Sequence, residues 1–267
     1  MKIHPTSIID PKAELHESVE IGPFCIIEKD VIIGEGTKID SHCRILSGSR
    51  IGKFNNFASG VTFSGVPQDI GFKPSTPTYF ELGDYNTLKE NCIFHRATKE
   101  GQATKIGNHN YFMGNIHIAH DCIVGDHNIM VQNSMIAGHV VMGNKIFVSG
   151  LTGIHQFVRV GDFAMVAGVA KIVKDIPPYS TVDGNPATVI GLNSVGLKRN
   201  GFSGDTRTAI KRAYKIIYHS GLNTSQALAE LEKDTNIIPE VRFLMDFFKN
   251  SKRGVTDHRA IGRGDDE

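Results

Sequence analysis

Apolar residues recur along this chain with a period of six. From Ile3, every sixth residue through Phe63 is Ile, Leu or Phe. A second series begins at Leu82, Leu88 and Phe94, misses at Glu100, resumes at Ile106 and runs to Ile172 with no polar member. Six fits neither the 3.6-residue turn of a helix nor the simple alternation of a strand. It suits a solenoid whose coil has three short flat sides, each turning one aliphatic side chain inward, and so predicts a hexapeptide-repeat parallel β-helix. A longer beat agrees. "IGNHN" at 106, "VGDHN" at 124, "MGNKI" at 142 and "VGDFA" at 160 recur at three times the hexad. Glycine before Asn or Asp predicts a corner where the chain takes a positive φ. Three hexads then make one coil, and equivalent residues stack at about 4.8 Å. An antiparallel sandwich would space its turns every 8–12 residues or so without strict phase.

The pattern breaks twice. Residues 64–80, "SGVPQDIGFKPSTPTYF", and residues 97–105, "ATKEGQATK", are expected loops projecting from the solenoid, which spans 1–188. Beyond Ile172 three prolines close the repeat and the period becomes helical over 189–254. "TAIKRAYKIIYHSG" aligns Ile210, Ala213, Tyr214 and Ile217 and ends at Gly221. "NTSQALAELEK" opens on a cap-like Asn223 with Gln226, and "PEVRFLMDFFKN" places Pro239 at a first helical position. Residues 255–267 are polar and are expected to be a disordered tail.

Composition narrows the function. The 29 Lys+Arg and 28 Asp+Glu nearly cancel, which gives no whole-chain electrostatic case for nucleic acid or an anionic membrane. "MKIHPTSIID" has no apolar h-region, and no run approaches a membrane span, so a cytoplasmic protein is expected. The four cysteines include no C-x-x-C pair and are expected to be reduced. Cys25 and Cys43 fall on one column, at a spacing that would permit a disulfide. Small buried thiols fit the compartment better.

The coil also sorts the histidines. In "NIHIAHDC" Ile118 points inward, so His117 and His120 lie outside the inward phase. Steps of one coil then put His120, Gly138 and Gln156 in one column, Ala119, Ala137 and His155 in a second, and Asp121, His139 and Phe157 in a third. His117, His120, His139 and His155 thus gather on one wall within about 10 Å. Asp121 is placed to orient His120 as in base–orienter pairs. His109 and His127, at the Gly-Asn/Asp corners, read as surface groups.

The ordered set "HIAHDC", "AGHV", "HQF", "PPY", "GNPA" and "GLKRNGF", with three C-terminal helices, resembles the bacterial UDP-N-acetylglucosamine O-acyltransferases, the LpxA family, over nearly the whole chain. The resemblance implies a left-handed β-helix and a homotrimer with active sites between subunits. It implies transfer of a 3-hydroxyacyl chain from acyl carrier protein to a UDP-sugar, the first step of lipid A synthesis, with no cofactor or metal of its own, since phosphopantetheine arrives on the carrier. By motif, His120 would be the general base, oriented by Asp121, and the N–H of Gly138 would hold the oxyanion. His117, His139, His155 and Gln156 would line the nucleotide-sugar and pantetheine groove, and Asn193 and Arg199 would approach the nucleotide. Gln68 and Asp69 match the loop that holds the sugar, and Gly168 the position that measures acyl length.

Two departures stand out. The family reads "QDLKY" where this chain reads "QDIGFK", so Gly71 replaces a lysine and Lys73 comes later. Lys171, near the chain-length position, would shorten the acyl groove. An altered sugar loop also leaves room for a 3-amino sugar and an amide product. The N-acyltransferase of the same pathway would need an extra N-terminal domain, whereas the hexads here start at Ile3. A γ-carbonic-anhydrase-like lyase, with zinc on His117 and His120, and a non-catalytic scaffold are the rivals from other classes. Finally, Lys198, Arg199, Arg207, Lys211, Arg212 and Lys215 read either as a solvated helix face or as a dock for the acidic carrier.

Overall fold

A computed structural model describes residues 2–259. Short strands, most of two residues, stack into three sheets of 11, 9 and 8 strands, each sheet taking every third strand of the winding chain. This is the expected parallel β-helix solenoid, mainly β, with helices after it. Register follows the repeat: Glu20 and Ile21 pair with Lys38 and Ile39, one coil on. Across the two loops the step lengthens, so that Phe57 pairs with Leu88 and Phe94 with Ile118. The loops are narrower than the sequence suggested. Strands Thr62–Gly65 and Tyr79–Leu82 reclaim both ends of the first, and Ala103–Ile106 the C-terminal end of the second, where Glu100 lies exposed.

The hexad residues form the core. Ile27, Ile45, Phe63, Phe94, Ile118 and Val148 are at most 1% exposed. Ile3 is 37% exposed because no coil stacks on the first turn. A second buried phase lies two residues before each hexad position. It holds small residues such as Val19, Val61, Thr104, Ser134 and Ala164, and all four cysteines fall in it. Each cysteine is a free, buried thiol, and its Sγ donates to a backbone carbonyl of the next coil, as Cys122 does to Ala137 at 3.1 Å. Burial pushes the Cys92 thiol up to about 11 and the Cys122 thiol to about 12, so both remain protonated.

The corners take the expected positive φ, two residues after the glycine, at His109, His127, Lys145 and Phe163, with φ of 54–59°. The glycine is needed for close approach: a Cβ on Gly125 would lie 2.7 Å from the carbonyl oxygen of Gly143 in the next coil. His109 and His127, exposed as expected, stack face to face with ring centroids 4.8 Å apart. Beside them runs a ladder of alternating Asp and Asn. Asn108 N–H donates to Asp126, Asp126 N–H to Asn144 and Asn144 N–H to Asp162, while the Asn108 and Asn144 amides also donate to the carboxylates of Asp126 and Asp162.

The solenoid ends in an antiparallel hairpin, Ser180–Gly184 with Ala187–Leu192. The helical part therefore begins a few residues after the expected 189, with the short α1 at Ser194–Arg199. It continues through α2 (Gly204–His219), α3 (Thr224–Glu232) and α4 (Pro239–Lys249). Asn223 and Gln226 close a capping box on α3, and Ile210, Ala213, Tyr214 and Ile217 are the buried stripe of α2. The expected disordered tail is corrected in part. Val255 and His258 bridge to Asp175 and Val189, because the solenoid's last backbone edge offers them partners; residues 260–267 lie outside the described residues.

Candidate active site

The inward phase of Ile118, Ile136, Ile154 and Ile172 turns their neighbours His117, Met135, Gly153 and Lys171 outward, in register on one wall. They floor an open groove of about 480 Å³ together with Gln68, His120, Gly138, His155 and Gln156.

At the N-terminal end of the groove His120 Nδ1 lies 2.7 Å from Asp121 Oδ2. Asp121 sits in the left-handed region at φ 59°, a conformation Asp tolerates, and its carboxylate folds back over the preceding ring. It is held there by the Thr98 N–H (3.0 Å) and the Thr98 hydroxyl (2.7 Å), while its own N–H donates to Thr104 Oγ1. Burial alone would raise the Asp121 carboxyl. The Thr98 N–H, His120, the Thr98 hydroxyl and His139 outweigh it and hold the group below the usual carboxylate range. An ionised carboxylate accepts, so Nδ1 of His120 carries the ring proton and Nε2 keeps its lone pair. That nitrogen faces Gly138, where a Cβ would come within 2.6 Å of His120 Cε1 and 2.9 Å of Nε2. Only a bare Cα leaves the base and a backbone amide side by side.

His139 stacks on Phe157 at 4.6 Å, meets the His120 ring edge-on and brings its Nε2 to 3.6 Å from Asp121 Oδ2. Among the described residues, His120, Asp121 and His139 are the group of three with metal-like spacing, and it does not include His117. Their donor atoms face a carboxylate oxygen that already receives the Thr98 hydroxyl and the His120 ring, an arrangement suited to a fixed proton relay.

His117 packs on His95, centroids 5.0 Å apart. His95 was missed in the sequence, because the 97–105 insertion puts it out of step with His117. Its Nδ1 donates to the Val66 carbonyl at 2.7 Å and ties down the first loop. Burial, then the neighbouring His95 and His120, push His117 from 6.5 down to about 4; burial lowers His95 as well. Both are neutral at pH 7. Between pH 6.5 and 4 the unfolded chain therefore binds protons that the folded one refuses, and stability falls as the pH drops through that window. Urea midpoints measured from pH 7 to 4.5 should fall by the equivalent of about 1–3 kcal/mol, and His117→Asn should remove part of that slope.

The other expected residues divide. Gln68 lines the groove, but Asp69 is turned into its own loop, accepting the Gly71 N–H at 2.7 Å. Lys171 lies at the far end of the groove. Gly168 sits at a neighbouring corner, Asn193 is spent capping α1 through Gly196 N–H, and Arg199 is exposed at the end of that helix. None of these three lines this chain's groove. Thr98, Thr104 and Met135 were missed.

Comparison with known proteins adds a separate line. A family model described as UDP-N-acetylglucosamine O-acyltransferase, domain 2, matches residues 175–256. An acyl-[acyl-carrier-protein]–UDP-N-acetylglucosamine O-acyltransferase of Thiobacillus denitrificans is 41% identical over 254 residues, covering 95% of this chain and 98% of that one. One of the same name from Janthinobacterium is 42% identical over 258 residues, with the same coverage. The solved structure of LpxA from Acinetobacter baumannii superimposes with a TM-score of 0.91 at 42% identity, covering 95% of this chain and 99% of that one.

Proposed function

From its membership of the acyl-carrier-protein–UDP-N-acetylglucosamine O-acyltransferase family, to which this chain belongs, we propose how the groove carries out acyl transfer. The protein is an acyltransferase of lipid A synthesis, moving an acyl chain from acyl carrier protein to UDP-N-acetylglucosamine. The observation that carries the site assignment is the His120–Asp121 pair set against Gly138.

His120 Nε2 removes the proton from the sugar 3-hydroxyl as that oxygen attacks the carbonyl carbon of the 3-hydroxyacyl thioester. Negative charge moves to the carbonyl oxygen, where the Gly138 N–H stabilises it. The tetrahedral intermediate then collapses and expels the phosphopantetheine thiolate, which takes the proton back from His120. Asp121 keeps the imidazole in the needed tautomer and stabilises the imidazolium that forms. Gln68, His117, His139, His155 and Gln156 position the two substrates. No step asks for a resident metal or cofactor.

The assembly is a homotrimer in this reading. Leu151 and Val169 are 62% and 69% exposed, and Phe147 is exposed too; a neighbouring copy would cover apolar side chains of this kind. Asn193 and Arg199 would then reach the nucleotide from a second subunit, and Gly168 would measure the acyl chain at the seam. No helix among the described residues is long and apolar enough to cross a membrane, and four free thiols suit a cytoplasmic reaction.

The deciding experiment supplies purified protein with 3-hydroxyacyl carriers of several lengths and with UDP-N-acetylglucosamine or its 3-amino analogue, and weighs the product. The expected product is the 3-O-ester. Absence of acyl transfer to either sugar would refute the reading.

Carrier docking is assigned to α1 and α2. Lys198, Arg199, Lys211, Arg212 and Lys215 are exposed and Arg207 is half-buried, facing an acidic partner. The KM for the carrier should rise with ionic strength, and Lys211→Glu with Arg212→Glu should raise it by at least about tenfold at low salt. A salt-independent KM would remove the dock.

A further inference from the structure

The segment after α4 is tied across the end of the solenoid and α2 by its backbone. Thr256 N–H donates to Asp175 and Arg259 N–H to Val189, each at 2.8 Å, and Val189 N–H donates to Asp257. The Tyr218 hydroxyl of α2 donates to the Thr256 carbonyl at 2.8 Å, and the His258 ring lies 4.4 Å from that of His219. Val189 and His258 bridge in parallel. The chain therefore leaves Arg259, the last described residue, in the direction of the strand Ala187–Leu192, which ends the 11-stranded sheet.

Ahead of it lies another cavity, of about 730 Å³, which shares no residue with the groove. Gly191 and Leu192, at the end of that strand, line it. So do Lys211, Lys215 and His219, an exposed stripe of α2 at four-residue spacing, with Arg212 beside them. Among the described residues no acid lines the cavity, and the nearby Asp257 is taken by Lys174 at 2.7 Å. Burial, then His258 and Lys215, hold the His219 imidazole below its ordinary value, in keeping with a positive field that no carboxylate offsets.

The sequence after Arg259 reads "AIGRGDDE". Its three consecutive acids are opposite in sign to the stripe. Lys211 lies eight residues from His219, about 12 Å along the helix. The six residues from Arg259 to Asp265 can span about 20 Å when extended, so the acids reach both lysines.

We propose that Asp265, Asp266 and Glu267 dock on Lys211 and Lys215 of their own chain, in this cavity, and screen them from the acidic carrier. The screening rests on the carrier dock assigned above; the docking does not. Tail and carrier want the same cations, so the tail is a built-in competitor whose hold weakens as salt rises. Single exposed ion pairs are weak, but tethering supplies a high local concentration.

The test compares the full chain with a full-length variant carrying Asp265→Asn, Asp266→Asn and Glu267→Gln. A zero-length carbodiimide cross-linker at low ionic strength should join a carboxylate of residues 265–267 to the amine of Lys211 or Lys215 in the wild type. The link should lie within one chain, fade at high salt and be missing from the variant. The variant should also show a KM for the carrier about three- to tenfold lower at low salt, with the KM for UDP-N-acetylglucosamine unchanged and the difference closing as salt rises. The cross-link is read without turnover, so a chain that makes it yet transfers no acyl group would refute the transferase reading and leave the docking in place. No link to either lysine, or links only between chains, overturns the docking. Equal carrier KM values in the two proteins at low salt overturn the screening.

Discussion

Alanine at His120 is expected to cut kcat for acyl transfer by about 10²- to 10⁴-fold, the usual contribution of a positioned general base. The ring is half-buried and lies outside both inward phases, so its removal leaves the stacked core intact. Asp121 keeps its two bonds from Thr98 in the variant, and the thermal midpoint should move little. Substrate KM values should change far less than kcat, because the missing group acts on the proton in the transition state. Unchanged acyl transfer in His120→Ala would revive the scaffold reading and end the mechanism described here.

Gly138→Ala keeps the backbone N–H but should still cost about 10²-fold in kcat, the order of loss when a reacting group is misplaced by about 1 Å. Gly138 lies outside the left-handed region, so alanine brings no backbone strain. The added methyl instead pushes on the His120 ring, whose Cε1 would be 2.6 Å away. Base and oxyanion donor are therefore disturbed by one carbon atom while the coil stays folded. A fully active Gly138→Ala would mean that the reacting carbonyl lies elsewhere, and a variant that fails to fold would show as a lost thermal transition.

Much of this was legible in the sequence because a solenoid converts spacing into distance by a fixed rule. That rule placed His120 beside Gly138, and the helical period beyond the repeat placed the stripe of α2 on the core. It failed where something interrupts the count. The 97–105 insertion lengthens the step between Phe94 and Ile118, which hid His95 and Thr98. Side-chain direction was out of reach as well: the carboxylate of Asp121 turns back to His120 because of a left-handed corner that hexad phase does not encode. The tail was judged by its polarity, yet its residues 255–259 are tied by backbone bonds to Asp175 and Val189, which any sequence can make. A six-residue period also reports only its largest inward residue. The small ones two positions earlier, where all four cysteines lie, carry too little hydrophobicity to stand out.

The alternation of Asp and Asn along one corner sets how the protein will age. Asn108 lies between Asp84 and Asp126, and Asn144 between Asp126 and Asp162, each amide donating to one carboxylate, so the column carries charge only at every other rung. Hydrolysis of the Asn108 or Asn144 amide, a slow reaction to which asparagine is prone at high temperature, would place three anions on consecutive rungs at about the strand spacing, and would remove the donor that had kept them apart. Shelf life at this corner is limited by the chemical lability of two side chains.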